Sequence, residues 1–161
     1  MKLRIDLAAQ ELELLADDGA VLRRYPVSTA ANGAGEESGS YCTPRGQHIV
    51  RARIGADAPI NTVFKARRPS GEVYTPELGK AEPERDWILT RILWLSGREP
   101  GRNRLGSCDS MRRYIYIHGT PDEAFEQAPR SHGCIRMRNA DVLELFDLVP
   151  PYTPVEIVES V

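Results

Sequence analysis

Apolar and polar positions alternate along much of this chain, and the dominant period is two. Leu3 to Leu7 and Leu12 to Leu14 each place apolar side chains on every second residue. This predicts two strands joined by a turn near Ala9-Gln10. Asp17-Asp18-Gly19 is a hairpin signal, with Ala20 to Ser28 as the return strand. Asn32 to Gly39 is Gly-rich and acidic and predicts a loop. Thr43-Pro44-Arg45-Gly46 predicts a turn leading into a strand from His48 to Ile54.

Between Asp57 and Met111 the pattern is interrupted by Pro69, Pro76, Pro83 and Pro100. Within it, Trp87 to Leu95 predicts a strand with Ile88, Thr90, Ile92 and Trp94 on one face. Gly97 to Asp109 is polar and Gly-rich, and fits either a surface loop or part of a cleft or lid. Tyr114 to Ile117 is β-branched and aromatic, which predicts a strand with His118 at its end. Asn139 is predicted to cap a helix from Ala140 to about Val149, stopped by Pro150-Pro151. That helix would bury Val142, Leu143, Leu145, Phe146 and Val149. Pro154 to Val158 reads as a final strand. Strands dominate, with one clear helix, and no repeat or linker divides residues 1–161, so a single mainly β domain is expected.

The chain of 161 residues is 41% hydrophobic, enough for a sizeable core. A net charge of -2 gives no electrostatic reason to expect nucleic acid or an anionic membrane as a partner. Arg greatly outnumbers Lys. Arg102, Arg104, Arg112, Arg113, Arg136 and Arg138 crowd one part of the chain, where planar guanidinium forks would suit a carboxylate-rich substrate. The N-terminal segment contains no apolar run of signal-peptide length, and no stretch is long enough to span a bilayer, so a cytoplasmic location is expected. Three cysteines cannot all pair within one chain, and Cys42, Cys108 and Cys134 are expected to be reduced.

The chemistry concentrates in Ser131-His132-Gly133-Cys134, with His118-Gly119 twelve residues upstream of Ser131. A free thiol has a pKa of about 8.5 and is little ionised at neutral pH. An adjacent imidazole can take its proton or stabilise the thiolate. His118 is the better candidate base, because it comes from a separate rigid element. The Gly119 carbonyl is a plausible group to orient it. Gly133 permits a tight turn that would aim backbone amides at a developing oxyanion. Structural roles for Cys134 and the histidines, and zinc ligation by His48, His118, His132, Cys42, Cys108 or Cys134, are the competing readings. The absence of Cys-x-x-Cys or His-x-x-x-His spacing weighs against zinc.

At these residues the sequence resembles the YkuD-like L,D-transpeptidase catalytic domain. The likeness rests on His118-Gly119-Thr120, on Ser131-His132-Gly133-Cys134-Ile135-Arg136 and on Thr43-Pro44-Arg45-Gly46. It implies a mainly β domain of the YkuD sandwich or barrel type, with one clear helix after the catalytic cysteine. It further implies Cys134 as nucleophile, His118 as general base and the Gly119 carbonyl as its orienting group. The backbone around His132, Gly133 and Cys134 would form the oxyanion hole. Ser131 and Arg136 would shape the substrate pocket, with Arg136 available to a substrate carboxylate. Two positions depart from the family pattern: Gln127 replaces a frequent Gly, and His48 a frequent aromatic. The bland reading of His48 is a strand residue packed on the sheet.

The resemblance implies a peptidoglycan tetrapeptide or muropeptide as substrate, β-lactams of the carbapenem class as covalent inhibitors, and no metal or organic cofactor. Cleavage would fall between diaminopimelate and the terminal D-alanine. Water as acceptor makes the enzyme an L,D-carboxypeptidase, and an amine makes it a transpeptidase. A cytoplasmic location favours trimming of soluble tetrapeptides over cross-linking. An idle murein-peptide-binding module is the alternative from another class.

Overall fold

In the computed structural model, which describes residues 1–160, ten strands and two α-helices form one curled sheet with a helix against it. Strands β1 (Lys2–Asp6), β2 (Glu11–Leu15) and β3 (Val21–Pro26) form an antiparallel meander. Alternation turns Leu3, Ile5, Leu12 and Leu14 into the core. The last strand, β10 (Pro154–Val158), lies parallel to β1 and antiparallel to β4 (Gly46–Ile54), so the chain's two ends meet inside the sheet. Beyond β4 come β7 (Leu89–Gly97), β8 (Tyr116–Thr120) and β9 (Ile135–Arg138), and β8 and β9 run parallel. Among the described residues no helix is long and apolar enough to cross a membrane.

Helix α2 (Asn139–Leu148) follows β9 without a loop and covers one face of the sheet. Its Val142, Leu145 and Phe146 join Leu93, Leu95, Ile117, Ile135 and Met137 in the main core. Each such side chain contributes roughly 1.5–3 kcal/mol when fully withdrawn from water. The opposite face of β7 and β8 is covered too, by a smaller cluster of Phe64, Ile92 and Tyr116. A segment buried on both faces is apolar throughout, which is why Ile115 to Ile117 reads as a continuous apolar run.

Several expected elements shift. Tyr114 is not in the strand: it adopts φ 56° in a turn, and β8 begins at Tyr116. His118 therefore sits mid-strand, flanked by pairing to Ile92 and Arg136. Ile88, just before β7, and Ile92 and Trp94 on it share a face as expected, but Thr90 does not. A bulge between Leu89 and Ile92, with Thr90 at φ 74°, turns its hydroxyl to Asn139 instead. Asn139 is not the helix cap. Arg138 occupies that position without a capping side chain. The Asn139 amide lies inside the protein, bonded to Thr90, Asn61, Asp122 and the Thr120 carbonyl.

The Pro-rich middle contains a hairpin, β5 (Thr62–Lys65) and β6 (Arg68–Val73), and a short helix α1 (Pro76–Ala81). The hairpin joins the sheet through Val63 and Leu89. Its two-residue turn is Ala66-Arg67, at φ 47° and 66°. Such turns favour Asn-Gly, so the signal was absent.

Candidate active site

Alternation along β8 and β9 assembles the site. Ile117 and Ile135 pair and point to the helix side. Their neighbours Tyr116, His118 and Arg136 point the other way, and Cys134, two residues before Arg136, does the same. Tyr116, His118, Ser131, His132, Cys134 and Arg136 thereby line one cavity of about 260 Å³. The hairpin supplies another wall with Phe64, Ala66 and Arg67. None of residues 98–113 lines it, so Gly97 to Asp109 is not part of this cleft.

His118 is almost wholly buried, and its Nδ1 lies 2.7 Å from the Gly119 carbonyl oxygen. That contact assigns the proton to Nδ1 and leaves Nε2 as a lone-pair acceptor. Burial holds the imidazole pKa below its ordinary value of 6.5, so the ring is neutral near pH 7. The close fit of Gly119 supports this placement. A Cβ there would come within 2.3 Å of Asn139 Oδ1 and 2.6 Å of the Leu89 carbonyl oxygen.

Cys134 is a free thiol that retains a partly exposed edge on the cavity. Its S–H donates to the Tyr114 carbonyl at 3.2 Å, and its Sγ accepts from the Tyr116 amide at 3.4 Å. Withdrawal from water pushes the thiol up to about 12. A carbonyl acceptor favours the protonated form as well. No hydrogen bond joins Sγ to the His118 ring, although both reach the same cavity. The resting pair is thus a neutral thiol and a neutral imidazole.

The loop before Cys134 is held from several sides. Ser131 Oγ donates to the Cys134 carbonyl at 2.6 Å and accepts from the Gly133 amide at 3.2 Å. Thr43 Oγ1 accepts from the Ala30 amide and donates to the Gly133 carbonyl at 2.8 Å, which gives the Thr-Pro-x-Gly element a physical role. Gly133 adopts φ 133°, where a Cβ would crowd the Cys42 carbonyl. The Ser28 amide and carbonyl bond Arg136, and the Thr29 carbonyl accepts from Ser131. With the Gly133 amide occupied, the amides of His132 and Cys134 are the ones with no acceptor among the described residues.

His132 lies at the rim, its side chain 66% exposed, edge-on to Tyr41. Asp86 was not a sequence candidate. It pairs with Arg136 at 3.1 Å and approaches His132 at 3.9 Å. Asp86 and Arg136 also border a neighbouring cavity of about 410 Å³ lined by Tyr74, Trp87, Pro121 and Glu123. Three other arginines of the crowded segment are committed elsewhere. Arg113 donates to the Gly35, Glu36 and Cys42 carbonyls, Arg102 pairs with Glu99, and Arg138 covers Phe125. His48 is fully buried on β4, bonded to Ser110 Oγ and the Gly46 carbonyl, as a packed strand residue. Gln127, at the departure from the family pattern, ties its loop to the Gln10 carbonyl.

Residues 2–157 match the L,D-transpeptidase catalytic domain, YkuD. The chain belongs to this family. It is 30% identical over 128 residues to the probable L,D-transpeptidase YbiS of Escherichia coli K12, covering 74% of this chain and 41% of that protein. The YkuD-family fold is also shared with solved structures at lower identity. An L,D-transpeptidase from Xylanimonas cellulosilytica aligns over 97% of this chain and 59% of its own, at 22% identity and a TM-score of 0.55. The L,D-transpeptidase LdtMt1 in complex with imipenem aligns over 97% of this chain and 57% of its own, at 18% identity and a TM-score of 0.56. The chain spans less than two thirds of the length of these relatives. The mainly β class with one main helix agrees with these structures.

Proposed function

We propose that this YkuD domain is a cysteine acyltransferase on peptidoglycan stem peptides, and that it cuts the diaminopimelate–D-alanine bond as an L,D-carboxypeptidase. The observation that carries the catalytic reading is His118, fixed through Nδ1 by Gly119 and open through Nε2 toward the cavity that Cys134 enters.

Substrate binding turns the Cys134 thiol from the Tyr114 carbonyl toward His118. Nε2 takes the thiol proton as sulfur attacks the scissile carbonyl. The His132 and Cys134 amides meet the resulting oxyanion, with Gly133 adding its own if Ser131 yields. The C–N bond breaks, and His118 returns the proton to the departing D-alanine amine. Water, deprotonated by His118, then attacks the thioester, releases the tripeptide and restores the thiol. A positioned base contributes about 10²–10⁴-fold to such steps. Ser131 acts as a support of the loop, and Arg136, carrying Asp86, borders the pocket.

The hydrolytic outcome follows from the proposed cytoplasmic location, where water is the most abundant acceptor. Soluble tetrapeptides in the cytoplasm are the proposed substrates. Carbapenems are proposed to acylate Cys134, in keeping with the imipenem complex of LdtMt1.

Incubation with a diaminopimelate tetrapeptide, with and without excess D-amino acid, tests the proposal by mass spectrometry. Tripeptide as the main product in both cases, absent in Cys134→Ala, is expected. Exchanged or cross-linked product would make the enzyme a transpeptidase. Turnover that survives Cys134→Ala would remove the nucleophile assignment.

A further inference from the structure

The cavity wall carries a cation that the family signature does not include. We infer that Arg67, at the tip of the β5–β6 hairpin, is a specificity-determining residue that takes a carboxylate of the substrate. This rests on the stem-peptide reading above and names the contact that selects it.

Two cations reach the cavity, and they differ in one respect. Arg136 is already paired with Asp86 at 3.1 Å. Arg67 has no carboxylate within salt-bridge distance among the described residues. Its guanidinium carbon lies 4.6 Å from the Tyr114 ring centroid and 5.0 Å from that of Trp94, in the angle between two tilted rings. One N–H donates to the Tyr116 hydroxyl at 3.0 Å. Of the five donors in a guanidinium fork, the rest remain for a ligand. A guanidinium held between two aromatic side chains, with most of its donors unclaimed, is prepared for a two-oxygen partner. Lys65 and Arg68 flank it in sequence, are exposed and form no ion pair among the described residues, so the hairpin tip carries further positive charge.

The backbone supplies a second, independent observation. The turn needs positive φ at both central residues, which Asn-Gly adopts freely, and the chain places Ala66-Arg67 there. A long side chain held in the left-handed region is a poor choice for the turn alone. Such strain persists where a side chain is required for function.

A stem tetrapeptide offers carboxylates at its terminal D-alanine and on diaminopimelate. Binding of the free acid and of two carboxamides, one blocked at each position, separates these sources. Calorimetry on Cys134→Ala and on Cys134→Ala/Arg67→Gly gives the ratios. Glycine suits the turn, so Arg67→Gly removes the guanidinium without straining the hairpin, and a melting curve checks that it folds. The first protein is expected to prefer the free acid over one of the amides by about tenfold or more, as for a charge-assisted hydrogen bond. In the second that preference should fall to within about twofold, while affinity for the amide itself barely changes. Arg67→Lys, which keeps the charge but loses the fork, should fall between. Equal losses on acid and amides, or no preference in either protein, would overturn the assignment. Failure of the intact enzyme to turn over any tetrapeptide would overturn the catalytic reading instead, since the binding ratios do not depend on Cys134.

Discussion

The state of the resting thiol can be tested directly. Burial raises Cys134 from the ordinary thiol range of about 8.5–9.0 to about 12. Three pH units are about a thousandfold less thiolate at a given pH, or roughly 4 kcal/mol. A more basic thiolate is the better nucleophile, which recovers about 20–30-fold. Against a small reference thiol, Cys134 should therefore react about 40-fold more slowly with a neutral aromatic disulfide at pH 7. The rate is read in a Cys42→Ser/Cys108→Ser background from pH 6 to 10, and should climb through that range without a plateau. His118→Ala should leave this rate nearly unchanged, because the imidazole does not ionise the resting thiol. Acylation by substrate behaves differently. It needs neutral His118, whose pKa lies below 6.5, so activity should persist below pH 6.5 and fall only in more acidic buffer. A thiol that titrates below about pH 7, or disulfide reactivity that collapses in His118→Ala, would show a preformed thiolate–imidazolium pair and refute the neutral-pair mechanism.

Other residues make separate claims. Burial lowers His48 from 6.5 to about 4, so its neutral form contributes stability above pH 6.5 that is lost as pH falls toward 4. Denaturant unfolding should show about 2 kcal/mol lost between pH 7 and 5, with the slope reduced in His48→Gln. Asn139→Ala leaves the Thr90 hydroxyl and Thr120 carbonyl without their buried partner, and should cost about 2–4 kcal/mol in the same assay. Thr43→Val removes the support of the Gly133 carbonyl; tetrapeptide turnover should drop by tenfold or more while stability falls by only about 1–2 kcal/mol. Gly119→Ala forces a methyl against Asn139 and Leu89, so turnover should be lost together with several degrees of melting temperature, and a fully active variant would show that the strand can shift.

Local sequence carried a large part of this protein. Period-two alternation located β1 and β2, which have one face on the core and one toward solvent, while the Asp17-Asp18-Gly19 turn signal located the largely exposed β3. The spacing of His118, Gly119 and Ser131 to Cys134 singled out the residues that the sheet brings to one cavity. The Gly119 carbonyl meets His118 as expected, since that contact lies between adjacent residues.

Contacts between distant segments were decided only by tertiary structure. The β5–β6 hairpin was hidden by its Ala66-Arg67 turn, whose strain is tolerated through packing that no local pattern records. Asn139 has the composition of a helix cap, but Thr90, Asn61, Thr120 and Asp122 come from elsewhere in the chain to draw its side chain inward. Asp86 acquires its place beside Arg136 fifty residues away in sequence. The protonation of Cys134 and His118 belongs to the same class. Residue type and spacing name the pair, whereas the burial that keeps both neutral arises only when β7, β8 and the hairpin close around them.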